Sequence, residues 1–405
     1  MDFQDTPEEA AYRAEVRAWL DANAPRKARS AGDRAIVTPD VLAAAKVWQA
    51  RKAEAGYAAI AKPKALGGGG GTPMQEIIFN QEEEAFGAQT GIFGIGIGMC
   101  VPTVMAHGSE ASKEMLVGPT VRGEKIWCQL FSEPSAGSDL AGLRTRAVKD
   151  GDEWVINGQK IWNSFAHLAD YGILLTRTDP GAPKHKGMTM FWVDLKSPGI
   201  DIRPIHQVSG HSDFNEVFLS DVRIPDSQRL GEVDEGWKVA LVTLMNERMS
   251  VMSSTRKPNF EEIMELARQL PGEGLKDAAF REQLADWYIR AEGLRFTRFR
   301  LLTALSRGEQ PSAAASIGKI LAANQLQEVA VAGTELQDQF GIISDPDLAP
   351  MDAIFQKTFL YSPAARLGGG TDEIMKNIIA ERVLGLPGEI RVDKDTPFRD
   401  IPTGR

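Results

Sequence analysis

The stretch "GDEWVINGQKIWNS" (residues 151–164) decides between an all-helical chain and a layered one. Gly151-Asp152 opens a turn, a short strand-like run follows, Asn157-Gly158 carries a hairpin signal, and a second run comes after it. Nearby, "YGILLTRTDP", "GMTMFWVDL" and "FNEVFLSDVRIP" are short runs rich in β-formers, each closed by Asp, Pro or Gly. Their regular spacing over residues 125–232 predicts an antiparallel barrel or sandwich.

The flanks have a different period. Residues 1–124 read as helices. In "TPEEAAYRAEVRAWLDAN", Thr6 caps, Pro7 suits the first turn, Glu9 completes a capping box, and Tyr12, Val16, Trp19 and Leu20 share one face. "TPMQEIIFNQEEEAFG" repeats the recipe with Thr72 as cap and Ile77, Ile78 and Phe86 on one side. Residues 233–388 return to helical patterns: "GWKVALVTLMNERMSVM", "FREQLADWYIRAEGLRFTRFRLLTAL", "AAASIGKILAANQLQEVAVAGTEL" and "TDEIMKNIIAERVLG". Four such segments predict a bundle. Prolines and glycines between Ser253 and Lys276 predict a partly ordered excursion there, and the polar tail 389–405 is expected to be loose or draped on another subunit. The fold class is therefore α+β multidomain: an N-terminal helical domain, a central antiparallel β domain and a C-terminal four-helix bundle.

Composition narrows the function. The chain has 405 residues, 43% hydrophobic and 25% charged, and a net charge of −9 that argues against a broad nucleic-acid face. Two cysteines without Cys-x-x-Cys spacing predict no disulfide framework and a cytoplasmic setting. The acidic start lacks the apolar core of a signal peptide, and no apolar run is long enough for a membrane span. "GIFGIGIGM" is not a dinucleotide fingerprint, the five histidines form no helical metal pair, and neither a nucleophile elbow nor a Walker loop is present. No metal site is expected. "LGGGGGT" (residues 66–72) reads as a flexible surface turn rather than an anion cradle.

Two segments carry candidate chemistry. In "WCQLFSEPSAGSDLAGLRTRAV" (residues 127–148), an apolar strand ends at Ser132, and Ala136-Gly137-Ser138-Asp139 follows. Small residues let backbone N–H groups approach an anion, and Ser138 adds a hydroxyl, although an ordinary strand-turn with an Asx stop fits the spacing equally well. In "GQKIWNSF", Trp162 stands two residues before Ser164, a flat ring beside a donor that suits a planar heteroaromatic cofactor or plain strand packing.

"FSEPSAGSD" (131–139), "KIWNS" (160–164) and "LGGGTDEIMKNIIAERVLGLPG" (367–388) together resemble the signatures of the acyl-CoA dehydrogenase family, in that family's order and spacing. The resemblance implies FAD as cofactor, an acyl-CoA thioester as substrate, α,β-dehydrogenation as reaction, a place in lipid metabolism such as fatty acid β-oxidation, and electron-transfer flavoprotein as electron acceptor. It implies that Gln129, Phe131 and Ser132 lie along the flavin and that Gly137 and Ser138 approach the pyrophosphate, with Ser138 also near substrate. Trp162 would pack beside the isoalloxazine and Ser164 would reach N5. Thr371 and Glu373 would contact the FAD of a neighbouring subunit.

Removing the α-proton of a thioester suits a carboxylate raised by burial. In many family members that glutamate sits two residues before the Thr of the C-terminal signature; here the position is Gly369. A second family position, in a Glu-Arg pair on the first helix of the C-terminal bundle, is matched by Glu247-Arg248. Glu247 is therefore expected as the base, Arg248 as a substrate contact, and the Gly369 N–H as a donor to the thioester carbonyl. A structural carboxylate paired with an arginine is the alternative for Glu247. The family's Arg-x-x-Phe-Gly element has only a loose echo in Arg256 to Phe260, and its Gln-x-x-Gly-Gly element is blurred in "ELQDQFGIIS". A homodimer, a homotetramer, or a heteromer with a related subunit all stay open. So do a flavin oxidase or monooxygenase on the same fold and a non-catalytic subunit.

Overall fold

Thr6 Oγ1 accepts from the Glu9 N–H at 3.2 Å and Glu9 Oε2 accepts from the Thr6 N–H at 2.8 Å, so the capping box predicted from sequence starts helix α1 (Pro7–Asn23). The structure is a computed structural model and describes residues 5–25, 37–87, 91–253, 257–270, 274–306, 315–390 and 393–402. Beyond α1 the helices are α2 (Pro39–Glu54), α3 (Pro73–Glu83), α4 (Val101–His107) and α5 (Glu110–Val121). Strands follow: β1 (Trp127–Leu130), β2 (Arg146–Asp150), β3 (Glu153–Lys160), β4 (Tyr171–Arg177), β5 (Met188–Asp194), β6 (Ile200–Pro204), β7 (Asn215–Pro225) and β8 (Arg229–Leu230). The last helices are α6 (Gly236–Ser253), α7 (Phe260–Gln269), α8 (Ala278–Ser306), α9 (Ala315–Leu336), α10 (Ile354–Leu367) and α11 (Asp372–Ile378).

The chain divides into two compact units. The first comprises Met1–Ile36, Asn80–Gly87 and Arg248–Gly388; the second comprises Val37–Phe79, Ala88–Glu247 and Glu389–Arg405. In the first, Ile263, Leu266, Trp287, Val329 and Phe355 form the buried centre where α7, α8, α9 and α10 meet. Glu82 holds α1 through Arg13 at 3.1 Å and Arg17 at 2.9 Å. The bundle has more helices than expected. An Asn259–Glu262 capping box starts α7 inside the segment read as an excursion, because a cap reorders the backbone right after a proline. Helix α10 was not anticipated either, since Pro363 interrupts its pattern.

In the second unit the sheet runs β6-β7-β3-β2-β4-β5-β8, with β1 beside β4. It is mixed rather than purely antiparallel, because β1 and β2 each pair with β4 in parallel. Strands β4 and β5 are buried on both faces, whereas β2, between β3 and β4, is largely exposed. Trp127, Ile173, Leu175, Met190 and Trp192 join a cluster with α4, α5 and α6. Cys128, Leu130, Leu174, Phe191 and Val193 join a second cluster with Trp154, Ile156, Val217 and Leu219, so the sheet curls over its own apolar face.

Three expectations are corrected here. Asn157-Gly158 is not a hairpin turn: β3 runs through it, with a register shift against β7 between Ile156 and Gly158. Asn157 Nδ2 donates to Asp221 Oδ1 at 2.9 Å across this bulge, and a Cβ at Gly158 would sit 2.4 Å from Thr145 Oγ1. The glycine run is not a loose turn, since the Gly67 to Gly71 N–H groups all donate to carbonyls between Ala59 and Lys64. No donor of that run is left over for an anion. The tail, finally, packs on the β region of its own unit: Phe398 N–H donates to the Ala182 carbonyl at 2.9 Å, and Pro397 bridges Pro183. Cys100 and Cys128 are both free and buried. Among the described residues no helix is long and apolar enough to cross a membrane, and no cluster could hold a metal ion.

Candidate active site

The two central signatures are joined by hydrogen bonds although they are distant in sequence. As β3 ends, Lys160 Nζ donates to the Phe131 carbonyl at 2.9 Å and to Glu133 Oε1 at 2.8 Å. Next, the Ile161 N–H donates to the Ser132 carbonyl at 2.9 Å, and Asn163 Nδ2 reaches the Gln129 carbonyl at 2.8 Å. Residues 160, 161 and 163 thus turn toward β1 and its extension. Trp162, between them, is left 57% exposed with a φ of 62°. A bulky residue in the left-handed region is strained and needs support. The support comes from Asn163, whose N–H donates to the Asn215 carbonyl at 3.0 Å, and from an edge contact of Trp162 with Phe214 at 6.1 Å.

The other residues expected on the flavin side lie in the same unit. Ser132 and Ser164 are half-buried, Gln129 is half-buried in β1, and Phe131 is 4% exposed and belongs to the core. Gly137 and Ser138 are exposed, and a Cβ built on Gly137 meets nothing within 4 Å. An open backbone after a strand end, an exposed ring and nearby hydroxyls fit the edge, pyrophosphate and ring of a flavin.

Sequence reasoning missed what holds this arrangement. Lys160 is fully buried, and Glu133 also accepts from the Arg144 N–H at 2.6 Å and the Thr145 N–H at 2.8 Å. Burial pushes the Glu133 carboxyl up, but the Lys160 ammonium and these donors outweigh it and hold the group below the ordinary carboxylate range. Burial pulls Lys160 down, partly offset by Glu133. The available signal was polarity: Lys160 and Asn163 interrupt a β-rich run, and a polar residue inside a strand core needs a partner.

Glu247 lies on α6. Val239, Ala240 and Thr243 are buried and Leu244 packs on the same cluster as Trp127 and Phe131. Glu247 continues this stripe at helical spacing and is half-buried. Thr243 Oγ1 is 2.9 Å from Thr103 Oγ1, which anchors the stripe one turn before Glu247. The Arg248 side chain and Arg256 lie outside the described residues.

In the first unit, Thr371 caps α11 by accepting from the Ile374 N–H at 3.3 Å, and Glu373 is exposed. Asp372, unassigned from sequence, is 4% exposed and pairs with Arg366 at 2.7 Å, tying α11 to α10. Gly369 and Gly370 have φ of 68° and 98°. A glutamate at 369 would have to adopt the left-handed conformation, at roughly 1–2 kcal/mol. At Gly370 a Cβ would also sit 2.4 Å from Met375 Cε. Gly370→Ala is therefore expected to destabilise the protein by about 1–3 kcal/mol, read as a lower Tm in thermal unfolding.

Comparison with known proteins places the whole chain in one family. The N-terminal, middle and C-terminal domains of acyl-CoA dehydrogenase match residues 6–124, 128–222 and 234–384. Acyl-CoA dehydrogenase IpdE1 of Mycobacterium tuberculosis is 34% identical over 96% of this chain and 100% of its own length. Acyl-CoA dehydrogenase FadE34 of the same organism is 38% identical over 79% of this chain, which spans 43% of that longer relative. Among solved structures, the Tcur3481-Tcur3483 steroid ACAD superposes with a TM-score of 0.82 at 28% identity, covering 96% of this chain and 100% of the other. The ChsE4-ChsE5 complex of Mycobacterium tuberculosis does so with 0.77 at 27%, over 96% and 100%. With all three domains matched in order, the chain belongs to the acyl-CoA dehydrogenase family of FAD-dependent flavoprotein oxidoreductases.

Proposed function

We propose that this chain catalyses α,β-dehydrogenation of an acyl-CoA thioester to the trans-2-enoyl-CoA, with Glu247 removing the α-proton. The observation that carries it is the position of Glu247 on the buried stripe of α6, while residue 369 is a glycine in a left-handed conformation. When bound, FAD supplies the acceptor for the β-hydrogen, taken as hydride at N5. Gln129, Ser132 and the backbone of the buried Phe131 would line its ring, Gly137 and Ser138 would face its pyrophosphate, Trp162 would cover its ring, and Ser164 would donate toward N5. Thr371 and Glu373 serve a neighbouring subunit's cofactor. The Gly369 N–H holds the thioester carbonyl, a donor worth ~3 kcal/mol in comparable oxyanion sites. Arg248 contacts substrate.

A heteromeric assembly with a second, related subunit is favoured over a homo-oligomer. It rests on the names of the two solved neighbours, each a pair of differently named chains. The first name also makes a steroid-derived thioester the first substrate to try. Anaerobic titration of the purified chain with straight, branched, aromatic and steroid-side-chain acyl-CoAs, following flavin bleaching, tests the reaction. Bleaching by none of them, at full FAD occupancy, overturns it. FAD counted per chain tests the assembly: full loading of the chain alone overturns the heteromer. Electron-transfer flavoprotein is the proposed electron acceptor.

A further inference from the structure

The tail closes onto the residues that hold the proposed pyrophosphate loop. Arg177, 3% exposed at the end of β4, donates from Nη2 to the Ala141 carbonyl at 2.6 Å, in the turn directly after Gly137-Ser138-Asp139. Its Nη1 donates to the Lys184 and Lys186 carbonyls at 2.9 and 2.7 Å. Nη2 thus serves the loop and Nη1 the 180s turn. The flat face is covered from the tail: the Phe398 ring centre lies 3.9 Å from Arg177 Cζ and 5.3 Å from Arg144 Cζ. Phe398 is 7% exposed, and its N–H and that of Arg399 donate to the Ala182 and Pro180 carbonyls.

A second tether runs in parallel. Lys184 Nζ lies 3.0 Å from Asp139 Oδ2 in the loop and 3.0 Å from Asp393 Oδ2 in the tail. Burial lowers the Lys184 ammonium's pKa, but its bonds to the two carboxylates outweigh this and raise it. It stays charged and shared between loop and tail.

We propose that residues 393–402 are a strap that fixes the Gly137–Gly142 loop in its cofactor-binding shape, Phe398 acting through Arg177 and Asp393 through Lys184. Both are positioning residues. The inference rests on the reading of that loop as the pyrophosphate contact. A buried cation whose two terminal nitrogens already donate, with Nε left unpaired, still needs its face covered. An aromatic ring does this without competing for its donors.

The test uses the full chain with Phe398→Ala. Apo-protein titrated with FAD, followed by flavin fluorescence, is expected to show about tenfold weaker binding, the size of a lost desolvated cation–π contact. Amide exchange of residues 137–142 in the apo-protein should speed up while β4 and β5 stay protected. Phe398→Tyr should restore both readouts and Phe398→Leu neither. Asp393→Asn, which keeps the side chain's volume at a half-buried pair, should weaken FAD about two- to threefold. Unchanged affinity and exchange in Phe398→Ala, or full rescue by Phe398→Leu, overturns the strap. If FAD leaves amides 137–142 unprotected even in the wild type, the loop assignment fails and the strap falls with it. Unaltered FAD protection of that loop in Phe398→Ala, with only activity lost, would overturn the strap and leave the flavin reading standing.

Discussion

Glu247→Gln is expected to leave FAD bound and to slow anaerobic flavin bleaching by acyl-CoA by about 10³-fold or more, the upper range of a single general base. Glutamine keeps the volume and the hydrogen-bonding edge, so the buried stripe of Val239, Ala240 and Thr243 and the Thr103–Thr243 contact keep their packing. What is removed is the lone pair that accepts the α-proton. Glu247→Asp retains the carboxylate but withdraws it by one methylene, and a misplacement of about 1 Å costs on the order of 10²-fold. The order wild type, Asp, Gln separates a base from a structural carboxylate. In the structural case both variants would lower Tm together and bleaching at saturating substrate would not change. Bleaching at the wild-type rate in Glu247→Gln sinks the assignment. Gly369→Glu in that background is expected not to restore the rate, because the new side chain starts from a φ of 68°.

Much of this was legible along the chain because the causes were local. Thr6 and Glu9 stand one turn apart, and the apolar stripe of α6 repeats at helical spacing with Glu247 in phase. The β-rich runs of β4 and β5 mark strands, but only the sheet order reveals that both faces are buried. Asn157-Gly158 was misread for a physical reason: the same dipeptide suits a tight turn and a bulge, and the partner that decides is Asp221, far along the chain. The site follows the same division. Resemblance brought out Ser132, Gly137, Trp162 and Ser164, whereas the groups that hold them were silent. Lys160, Glu133 and Asn163 act through partners about 30 residues away, and Phe398 through one more than 200 away. Nothing periodic records such pairs, since each is a single contact between distant segments.

Glu133→Gln tests the most buried of those pairs and is expected to destabilise the protein by about 3–5 kcal/mol, the cost of leaving a buried ammonium without its counter-charge. Lys160 is 0% exposed and Glu133 6%, so solvent cannot replace the lost partner. The damage should also reach the cofactor. Lys160 Nζ holds the Phe131 carbonyl and Glu133 holds the Arg144 and Thr145 N–H groups, which are the two ends of the loop that includes Gly137 and Ser138. FAD retention on gel filtration is therefore expected to fall along with Tm. The double variant Glu133→Gln with Lys160→Met removes both charges and should recover much of the stability, because an apolar substitute of similar volume has no desolvation to offset. The acid response follows from the sign of the Glu133 shift. Its folded pKa lies below the unfolded value of about 4.3, so the pair's stabilisation is complete above that value and is lost as pH falls through the folded pKa. Wild type should lose stability on acidification below the carboxylate range by more than Glu133→Gln does, in parallel urea titrations. Equal acid slopes, or a single variant as stable as the double, would show that this pair does not hold the β1 extension.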